Sequence, residues 1–248
     1  KVIQTIHLRL LPFDPEHILV IRNDRKRYQF DVYKMNVYTG KFNRQLLPPG
    51  PVVGWGADND GTIRLAAMQD ENSLNYETQI MYRDDDDSEW REIDRFEGLQ
   101  NGWNDIGFTE DNSKMYITSN LGQDTYSISL FDPETGMMEE VFANEGTDVS
   151  SIGFTPTGEP ITVLYNDIDT KPKRHYLNKK WEQTIEGLKA AFDVDYVGIA
   201  SMSEYAEKMV ITIYSDTIPG EYYLYDTINN TVVYLGSSKP WIDPKTMS

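Results

Sequence analysis

The sequence has no cysteine, only three histidines and no long hydrophobic run. Without cysteine, disulfides, thiolate metal sites and a cysteine nucleophile are excluded, although the compartment is not settled. The longest mainly apolar runs, such as Ile18–Ile21 and Met209–Ile213, are four or five residues, against roughly 18 for a membrane-spanning helix. Basic residues are scarce, 23 against 40 acidic ones, and the net charge is −17. A field of that sign opposes binding to nucleic acid or to an anionic membrane.

The ends of the chain lack the features of a complete secreted protein. Lys1-Val2-Ile3-Gln4 has no initiator methionine, no charged leader and no apolar segment of a signal peptide. We therefore expect this chain to be part of a longer one. Its 248 residues, 39% of them hydrophobic, are enough for one large domain or two small ones with a substantial core.

The chain contains an internal repeat. Five times, an extended run is followed by a tight polar turn and a second apolar run, with turn centres near residues 15, 60, 111, 157 and 206. The steps between these centres are 45, 51, 46 and 49 residues. Two units share the tetrapeptide Ile-Gly-Phe-Thr, at Ile106–Thr109 and at Ile152–Thr155. A period of this length is typical of repeat architectures.

A second turn recurs in phase with the first. Gly40, Gly136 and Asn230 lie in such turns, 96 and 94 residues apart, which is two units each time. The missing member of the series falls at Asp84–Ser88. Glycine and asparagine supply the positive φ that tight hairpins need. We predict tight turns at three glycines, with positive φ at least at the second: Gly61, Gly136 and Gly158.

Four short strands in about 48 residues are typical of a propeller blade. We predict an all-β chain, a β-propeller of four-stranded antiparallel blades, over residues 1–238. The five blades are expected at about residues 3–50, 51–98, 102–146, 149–193 and 194–238. A β-sandwich also has short strands at this spacing, but it does not predict two turns that recur in phase.

One segment has helical periodicity. Trp181, Ile185, Leu188 and Phe192 are spaced 4, 3 and 4 residues apart, which predicts a short helix over 179–192, packed on a blade edge at the rim. The pattern also indicates packing between blades for four tryptophans: Trp55, Trp90, Trp103 and Trp181. Trp241 is expected to be exposed unless it docks on a partner domain.

Several stretches together carry a family resemblance: Asp14–Val20 with Asp31–Asn36, then Ser215–Asp226, then Tyr234–Gly236 with Pro240–Asp243. In this order they resemble the propeller of the prolyl oligopeptidase family of serine peptidases, particularly its acylaminoacyl-peptidase-like branch. The last stretch resembles the passage into that family's α/β-hydrolase domain.

The resemblance implies that this chain is part of a propeller that usually has seven blades. About two blades would then precede Lys1, and residues 239–248 would be a linker to a C-terminal hydrolase domain beyond Ser248. Successive blades would be related by about 51°, one-seventh of a turn, rather than by the 72° of a complete five-bladed ring. An open set of blades leaves an apolar face bare at each end, so we expect it to be covered by self-association, by rearrangement towards a closed ring, or by crystal partners.

The sequence contains no catalytic constellation of a serine hydrolase. A Gly-x-Ser-x-Gly nucleophile motif is absent, and Gly198–Met202 has serine in the wrong place. His7, His17 and His175 lie in predicted strands or turns and are expected to be surface or packing residues. We assign no catalytic, cofactor-binding or metal residue and no specific substrate-facing residue. The chain is interpreted as the non-catalytic propeller of a peptidase that gates short peptides to the hydrolase domain.

Two acidic stretches and one basic cluster allow other interpretations. Asp84–Asp87 and Asp58–Gly61 have parts of a calcium-loop pattern, although the second is also an ordinary blade turn, and we expect no metal at either. The basic cluster Lys171–His175 could hold a peptide carboxylate, contact an acidic domain surface, or be a solvated loop.

Two functional alternatives stay open at this point. One is a stand-alone propeller that binds a ligand or protein. The other is a five-bladed glycosidase, with two carboxylates about 5–10 Å apart near the centre, for which Asp105 and Asp195 are candidates. Ser150 and Ser151 stand where the repeat would place Asn104 and Asp105, which weakens the glycosidase alternative.

Overall fold

The computed structural model of this chain describes residues 2–11, 13–69, 77–97, 102–169, 172–215 and 217–242. Its regular elements are antiparallel strands and one α-helix, arranged as five sheets in chain order. These sheets are the blades of a β-propeller, so the predicted fold class is confirmed. Lys171, Asp216 and residues 243–248 of the expected linker lie outside the described residues.

The first three blades are four-stranded meanders in which each strand pairs with the next one in sequence. Blade 1 contains β1 (Thr5–Leu10), β2 (His17–Lys26), β3 (Gln29–Asn36) and β4 (Phe42–Leu46). Blade 2 contains β5 (Val52–Ala57), β6 (Ile63–Gln69), β7 (Thr78–Tyr82) and β8 (Arg91–Phe96). Blade 3 contains β9 (Trp103–Phe108), β10 (Met115–Ser119), β11 (Ser127–Phe131) and β12 (Met138–Phe142).

Blade 4 departs from the regular pattern. It has three strands: β13 (Val149–Phe154), β14 (Pro160–Asn166) and β15 (Pro172–Tyr176). The helix α1 (Lys179–Phe192) follows β15, where the other blades continue into a fourth strand. Blade 5 is again four-stranded, with β16 (Val197–Met202), β17 (Lys208–Ile213), β18 (Glu221–Asp226) and β19 (Thr231–Ser237).

The helix begins and ends as its sequence directs. The side chain of Asn178 caps the N-terminus by accepting a hydrogen bond from the backbone N–H of Lys180. Asp193 ends the helix in the left-handed conformation, with φ 54°, and its N–H donates to the carbonyl of Lys189. The prediction of a helix over 179–192 is confirmed at both ends.

The predicted turns are present. Gly61, Gly136 and Gly158 have φ of +88°, +71° and +93°, so the prediction of positive φ at Gly136 is confirmed. Gly40 and Asn230, at the matching places in blades 1 and 5, have φ of +66° and +51°. Residues without a side chain, or with a short polar one, tolerate this region best.

Register shifts recur within the four-stranded blades. The innermost pair and the outermost pair of each of these blades contain a bulge or irregularity. In blades 2, 3 and 5 the middle pair is regular. Bulges increase the right-handed twist of a strand pair, and they give these short sheets the strong twist of propeller blades.

The chain divides into two compact units. Unit 1 consists of Lys1–Ser151 and Tyr165–Lys173, and unit 2 consists of Ile152–Leu164 and Arg174–Ser248. In unit 1, one cluster joins blades 1 and 2 through Leu19, Val32 and Trp55, and a second joins blades 2 and 3 through Leu65, Tyr82 and Phe108. The second strands β2, β6 and β10 supply buried residues to these clusters because both of their faces are covered.

The core of unit 2 is built around α1. Trp181, Ile185 and Leu188 of the helix pack with Ile161 of β14 and with a row of residues on blade 5: Val197, Met209, Ile211, Ile213 and Tyr225. Ile185 is fully buried and Trp181 is 1% exposed, so the apolar face of the helix is covered, while its other face is exposed. No helix within the described ranges is long and apolar enough to cross a membrane.

Candidate functional site

Polar side chains gather on the inner strands of unit 1, where β5 lies beside both β1 and β9. We call Arg9, Asp58, Asn59, Asp105 and Asn112 the inner-strand network. Arg9 of blade 1 reaches blade 2, where its guanidinium donates to the Asn59 side chain and to the carbonyl of Ala57. Burial lowers the pKa of Arg9, against the attraction of Asp58 and Asp105.

Asn59 connects blade 2 to blade 3 as well. Its Nδ2 donates to the carbonyl of Thr109 (2.8 Å), and its backbone N–H donates to Oδ1 of Asn112 (3.0 Å). Asn112 in turn donates to Oδ2 of Asp60 (2.8 Å). Three blades are thus joined at one turn. Asn59, at the centre of these contacts, is 6% exposed.

Asp58 has a structural role in the same turn. Its Oδ1 accepts the backbone N–H groups of Asp60 and Thr62 at 3.1 and 2.9 Å. Its Oδ2 pairs with Nη1 of Arg64 at 3.1 Å. Because its oxygens are engaged by protein donors, Asp58–Gly61 is held as a blade turn and offers little to a cation.

The second acidic stretch is engaged in the same way. Asp84 pairs with Arg91 (2.8 Å), Asp85 accepts from the hydroxyl of Ser88 (2.7 Å), and Asp86 pairs with Arg83. Within the described part of the chain, no three His, Asp or Glu side chains are grouped as a metal site would need.

Asp105 is the one candidate of the glycosidase alternative that lies in unit 1. Its side chain reaches solvent, yet protein atoms surround it closely enough that desolvation raises the pKa of its carboxyl group to about 6. A side chain on Gly56 would stand 2.8 Å from Oδ2 of Asp105, so glycine at 56 makes room for this carboxylate. Asp195 lies in unit 2, and the charge that acts on Asp105 is that of Arg9.

His17 is paired with an acidic side chain and an amide in the described structure. Nδ1 of His17 lies 2.8 Å from Oδ1 of Asp14, and its Nε2 faces the side-chain amide of Asn36 at 3.4 Å. Lys34 and then His17 lower the pKa of Asp14 to about 2. His7 and His175 are exposed, and Ser201 is exposed on β16.

A second group of functional character lies in unit 2, and we call Arg174, Tyr176, Tyr196 and Tyr214 the tyrosine–arginine cluster. Arg174 belongs to the predicted basic cluster. Its guanidinium stacks over the ring of Tyr196, 4.3 Å from the centroid. The Tyr196 and Tyr214 rings are packed 4.8 Å apart, and Tyr214 is 47% exposed. The Nε of Arg174 is buried and has no hydrogen-bond partner.

The charge of Arg174 is only partly balanced by its surroundings. Desolvation and the neighbouring Glu186 raise the pKa of Tyr176 to about 12, with Arg174 opposing. Glu186 accepts from the hydroxyl of Tyr176 (2.8 Å) and pairs with Lys189 (3.0 Å). Burial would raise the pKa of Glu186, but these hydrogen bonds hold it below its usual value. Glu186, which lies within the electrostatic reach of Arg174, is therefore engaged by Tyr176 and Lys189.

Strand pairing places the cluster at one edge of blade 5. Val197 pairs with Ile213, so Tyr196, just before β16, and Tyr214, just after β17, stand at the same end of the hairpin. Ile213 pairs with Glu221, and Glu221 pairs with Ser237 at the end of β19. The chain beyond β19 therefore begins at the same end of the blade's strands as Tyr196 and Tyr214.

Part of these groups is predictable from the sequence: Asp58, Asp60, Asp105 and the basic cluster containing Arg174. The bridging role of Asn59 and the two tyrosines are not predictable, since the partner of Asn59 is 50 residues away and that of Tyr196 is 22 residues away. The signal for the second group is a tyrosine just before the first strand of a hairpin and another just after its second strand, in a chain with one basic cluster.

The comparison with curated proteins returns a peptidase. The chain is 25% identical over 246 residues to dipeptidyl aminopeptidase BIII of Pseudoxanthomonas mexicana, and the match covers 95% of this chain. It covers 34% of the peptidase, so the chain spans about a third of that relative's length. No family model matches the chain.

Solved structures give the same fold. A structure from a study of two prolyl endopeptidases covers 95% of this chain and matches with a TM-score of 0.53 at 10% identity, over 35% of its own length. A TolB structure from Agrobacterium tumefaciens covers 93% of this chain and 80% of its own, with a TM-score of 0.50 at 14% identity. These similarities concern the fold alone. With the curated relative, they confirm that this chain resembles the propeller of prolyl oligopeptidase-family peptidases.

Proposed function

We propose that this chain is the non-catalytic propeller of a serine peptidase, which admits short peptides to a hydrolase domain of the same parent protein and excludes folded proteins. The carrying observation is the match over 95% of this chain to about a third of a dipeptidyl aminopeptidase. The lack of a Gly-x-Ser-x-Gly motif is consistent with chemistry that resides elsewhere in the parent. Its assignment to the acylaminoacyl-peptidase-like branch stays a prediction.

The topology of blade 5 supports the position of the hydrolase domain. The segment after β19 is fixed at the edge of the blade by Ser238, whose N–H donates to the carbonyl of Gly220 (2.8 Å) and whose hydroxyl donates to that of Pro219 (2.8 Å). Trp241 follows and is 77% exposed. A domain that continues from here begins beside this edge, and Trp241 is the apolar side chain available to contact it.

A propeller in this position acts as a filter. Blades that cover an active site leave openings wide enough for an extended peptide but too narrow for a folded domain, and they limit the access of bulk water. The filter acts on substrate size and on the charge of its lining. It contributes no bond-making group, so the chain alone is not an enzyme.

The test uses the full-length parent protein and this 248-residue chain side by side. We expect the parent to hydrolyse chromogenic dipeptidyl or acyl-amino-acid substrates, to be blocked by a serine-reactive phosphonate, and to spare folded proteins. This chain alone should show no turnover. A parent reading frame without a hydrolase domain, or a parent that digests folded proteins as fast as short peptides, would contradict the proposal.

A further inference from the structure

We propose that the tyrosine–arginine cluster binds a carboxylate group of a peptide, with the guanidinium of Arg174 as its anchor. This inference rests on the proposed function, since it names the part of the substrate that the edge of blade 5 recognises. Its binding step can nevertheless be measured on this chain alone, without any hydrolysis.

The first argument is the state of the Arg174 charge. Seven other arginines of the described structure form ion pairs with carboxylates: Arg22, Arg25, Arg44, Arg64, Arg83, Arg91 and Arg95. Arg174 forms none with any described residue. Glu186 is close enough to be influenced by Arg174, but its oxygens accept from Tyr176 and Lys189. In a chain of net charge −17, an arginine without a carboxylate partner is available for an anionic ligand.

The second argument is the orientation that stacking imposes. Tyr196 covers one face of the guanidinium at 4.3 Å, which restricts its motion and leaves its N–H groups at the edge. A planar guanidinium binds a carboxylate through two parallel N–H donors. The buried Nε of Arg174 has no partner within the structure, whereas unpartnered buried donors are costly and uncommon. Because Nε is enclosed while Arg174 as a whole is half-buried, the carboxylate would bind at the outer nitrogens of the guanidinium, and its charge would also favour the unpartnered Nε–H.

The third argument is the surrounding chemistry. Burial raises the pKa of Tyr214, and its neighbour Tyr196 adds to that rise, so the Tyr214 phenol keeps its proton at neutral pH. Aromatic walls lower the local dielectric response and strengthen a charge-assisted hydrogen bond. Tyr214 is 47% exposed, and its hydroxyl gives an arriving carboxylate a neutral donor beside the cation.

The ligand is therefore a peptide carboxylate, and two sources share that chemistry: the free C-terminus and the side chain of Asp or Glu. Three probes distinguish them. Acetyl-trialanine has a free C-terminus, its C-terminal amide has no carboxylate, and acetyl-Ala-Glu-Ala-amide has only a side-chain carboxylate. Each is titrated into the ¹⁵N-labelled 248-residue chain, with the arginine Nε–H signals and tyrosine ring signals as readouts.

The variants separate binding from folding. Arg174→Gln removes the charge, Arg174→Lys keeps the charge but loses the fork, and Tyr214→Phe removes one hydroxyl. The matched control is Arg27→Gln, because Arg27 also stacks on a tyrosine, 5.1 Å above Tyr28, and forms no ion pair with a described residue. Circular dichroism checks that each variant is folded.

We expect the Arg174 Nε–H signal to shift with at least one carboxylate probe and not with the amide. Affinity should fall at least fivefold in Arg174→Gln and about threefold in Arg174→Lys and Tyr214→Phe, and stay within twofold in Arg27→Gln. Equal binding of the amide, no binding of either carboxylate at 20 mM, or unchanged binding in folded Arg174→Gln would overturn the inference. The parent's peptidase assay is independent, so a failed inference leaves the proposed function standing.

Discussion

At the scale of single residues, Asn59 is the clearest case of one side chain that holds several elements. It accepts from Arg9 of blade 1 and donates to the Thr109 carbonyl of blade 3, while its own turn belongs to blade 2. Its side-chain oxygen, its side-chain nitrogen and its backbone N–H all have protein partners. Loss of this side chain leaves buried donors and acceptors unpaired, which costs more than one hydrogen bond.

We therefore expect Asn59→Ala to lower the free energy of unfolding by about 2–4 kcal/mol. Urea denaturation followed by tryptophan fluorescence measures the change. Asn43→Ala, at an exposed position of β4, is the control. Its free energy of unfolding should lie within about 0.5 kcal/mol of that of the unmutated chain. Equal effects of the two substitutions would show that the inner-strand network does not stabilise the blades.

Asp105 gives a pH-dependent prediction. Its folded pKa of about 6 is above its reference value of 3.8, so the folded state takes up a proton and its stability falls as pH rises from about 4 to 6. Asp105→Asn removes this loss. Because the carboxylate reaches solvent, we expect the free energy of unfolding of the variant to exceed that of the unmutated chain by no more than about 1 kcal/mol at pH 7.5.

The measurement compares the unfolding free energies of the unmutated chain and of Asp105→Asn at pH 4.5 and pH 7.5. Glu110→Gln, in the exposed turn after β9, serves as the control for removal of one negative charge. A relative gain that is larger at pH 4.5 than at pH 7.5 would contradict the direction of the shift.

At the scale of the element, two turns with similar backbone conformation differ in their surroundings. Gly136 has open space around the position of a Cβ atom, whereas a Cβ on Gly61 would lie 2.3 Å from Cδ2 of Leu11. We expect Gly136→Ala to cost about 1 kcal/mol from backbone strain alone. Gly61→Ala should cost about 1–3 kcal/mol, more than Gly136→Ala, since the end of the Leu11 side chain must also move. Thermal unfolding of both variants tests this, and equal losses would rule out the role of Leu11.

The helix α1 provides a test of the unit 2 core. Ile185→Ala removes a fully buried side chain that packs with blade 5, and such truncations cost about 2–5 kcal/mol. Gln183→Ala, on the exposed side of the same helix, should change the unfolding free energy by less than about 0.5 kcal/mol. If Ile185→Ala behaves like Gln183→Ala, α1 is a rim element that the core does not need.

Local elements were predictable because their causes are local. The turn glycines and the spacing of Trp181, Ile185 and Leu188 are written in short windows of sequence. The partners of α1 were not predictable, because its apolar face packs on Val197 and Ile211, which follow it in another blade. Nor was the three-stranded form of blade 4, since a helix and a strand can both follow β15 until packing selects one of them.

At the scale of the whole molecule, the outer strand of blade 5 is conspicuous for its exposed apolar residues. Val232, Val233, Tyr234 and Leu235 of β19 are 39–57% exposed. A strand edge with apolar side chains is a template for further pairing. Together with the predicted open set of blades, this surface favours association of the isolated chain.

We expect the weight-average mass in sedimentation velocity to rise between about 5 and 200 µM chain, conditions under which weak contacts of this kind are populated. Val233→Lys should keep the chain monomeric over that range, because an inward or edge lysine opposes pairing. Asn43→Lys, on the outer strand β4 of blade 1, is the matched control. If the unmutated 248-residue chain stays monomeric at every concentration, the expectation of self-association is contradicted.

Contacts between side chains that are distant in sequence could not be predicted, and the physical reason is the same for each of them. Asn59 and Thr109 meet because two blades pack side by side, and Arg174 of β15 meets Tyr196, 22 residues later in the chain, because unit 2 brings these two segments together. The repeat period predicted the blades, but it carried no information on which polar side chains would meet across them. The angle between blades stays a prediction.

The pairing of every strand with its sequence neighbour has a consequence for synthesis on the ribosome. Within each four-stranded blade, all ladders join consecutive strands, so a blade can form soon after its last residue leaves the exit tunnel. The Asn59 turn is different, because its acceptor at Thr109 lies 50 residues later. Blade 3 must therefore be translated before the buried side-chain amide of Asn59 can donate to its acceptor, so this turn of blade 2 is completed one blade later than the ladders of blade 2.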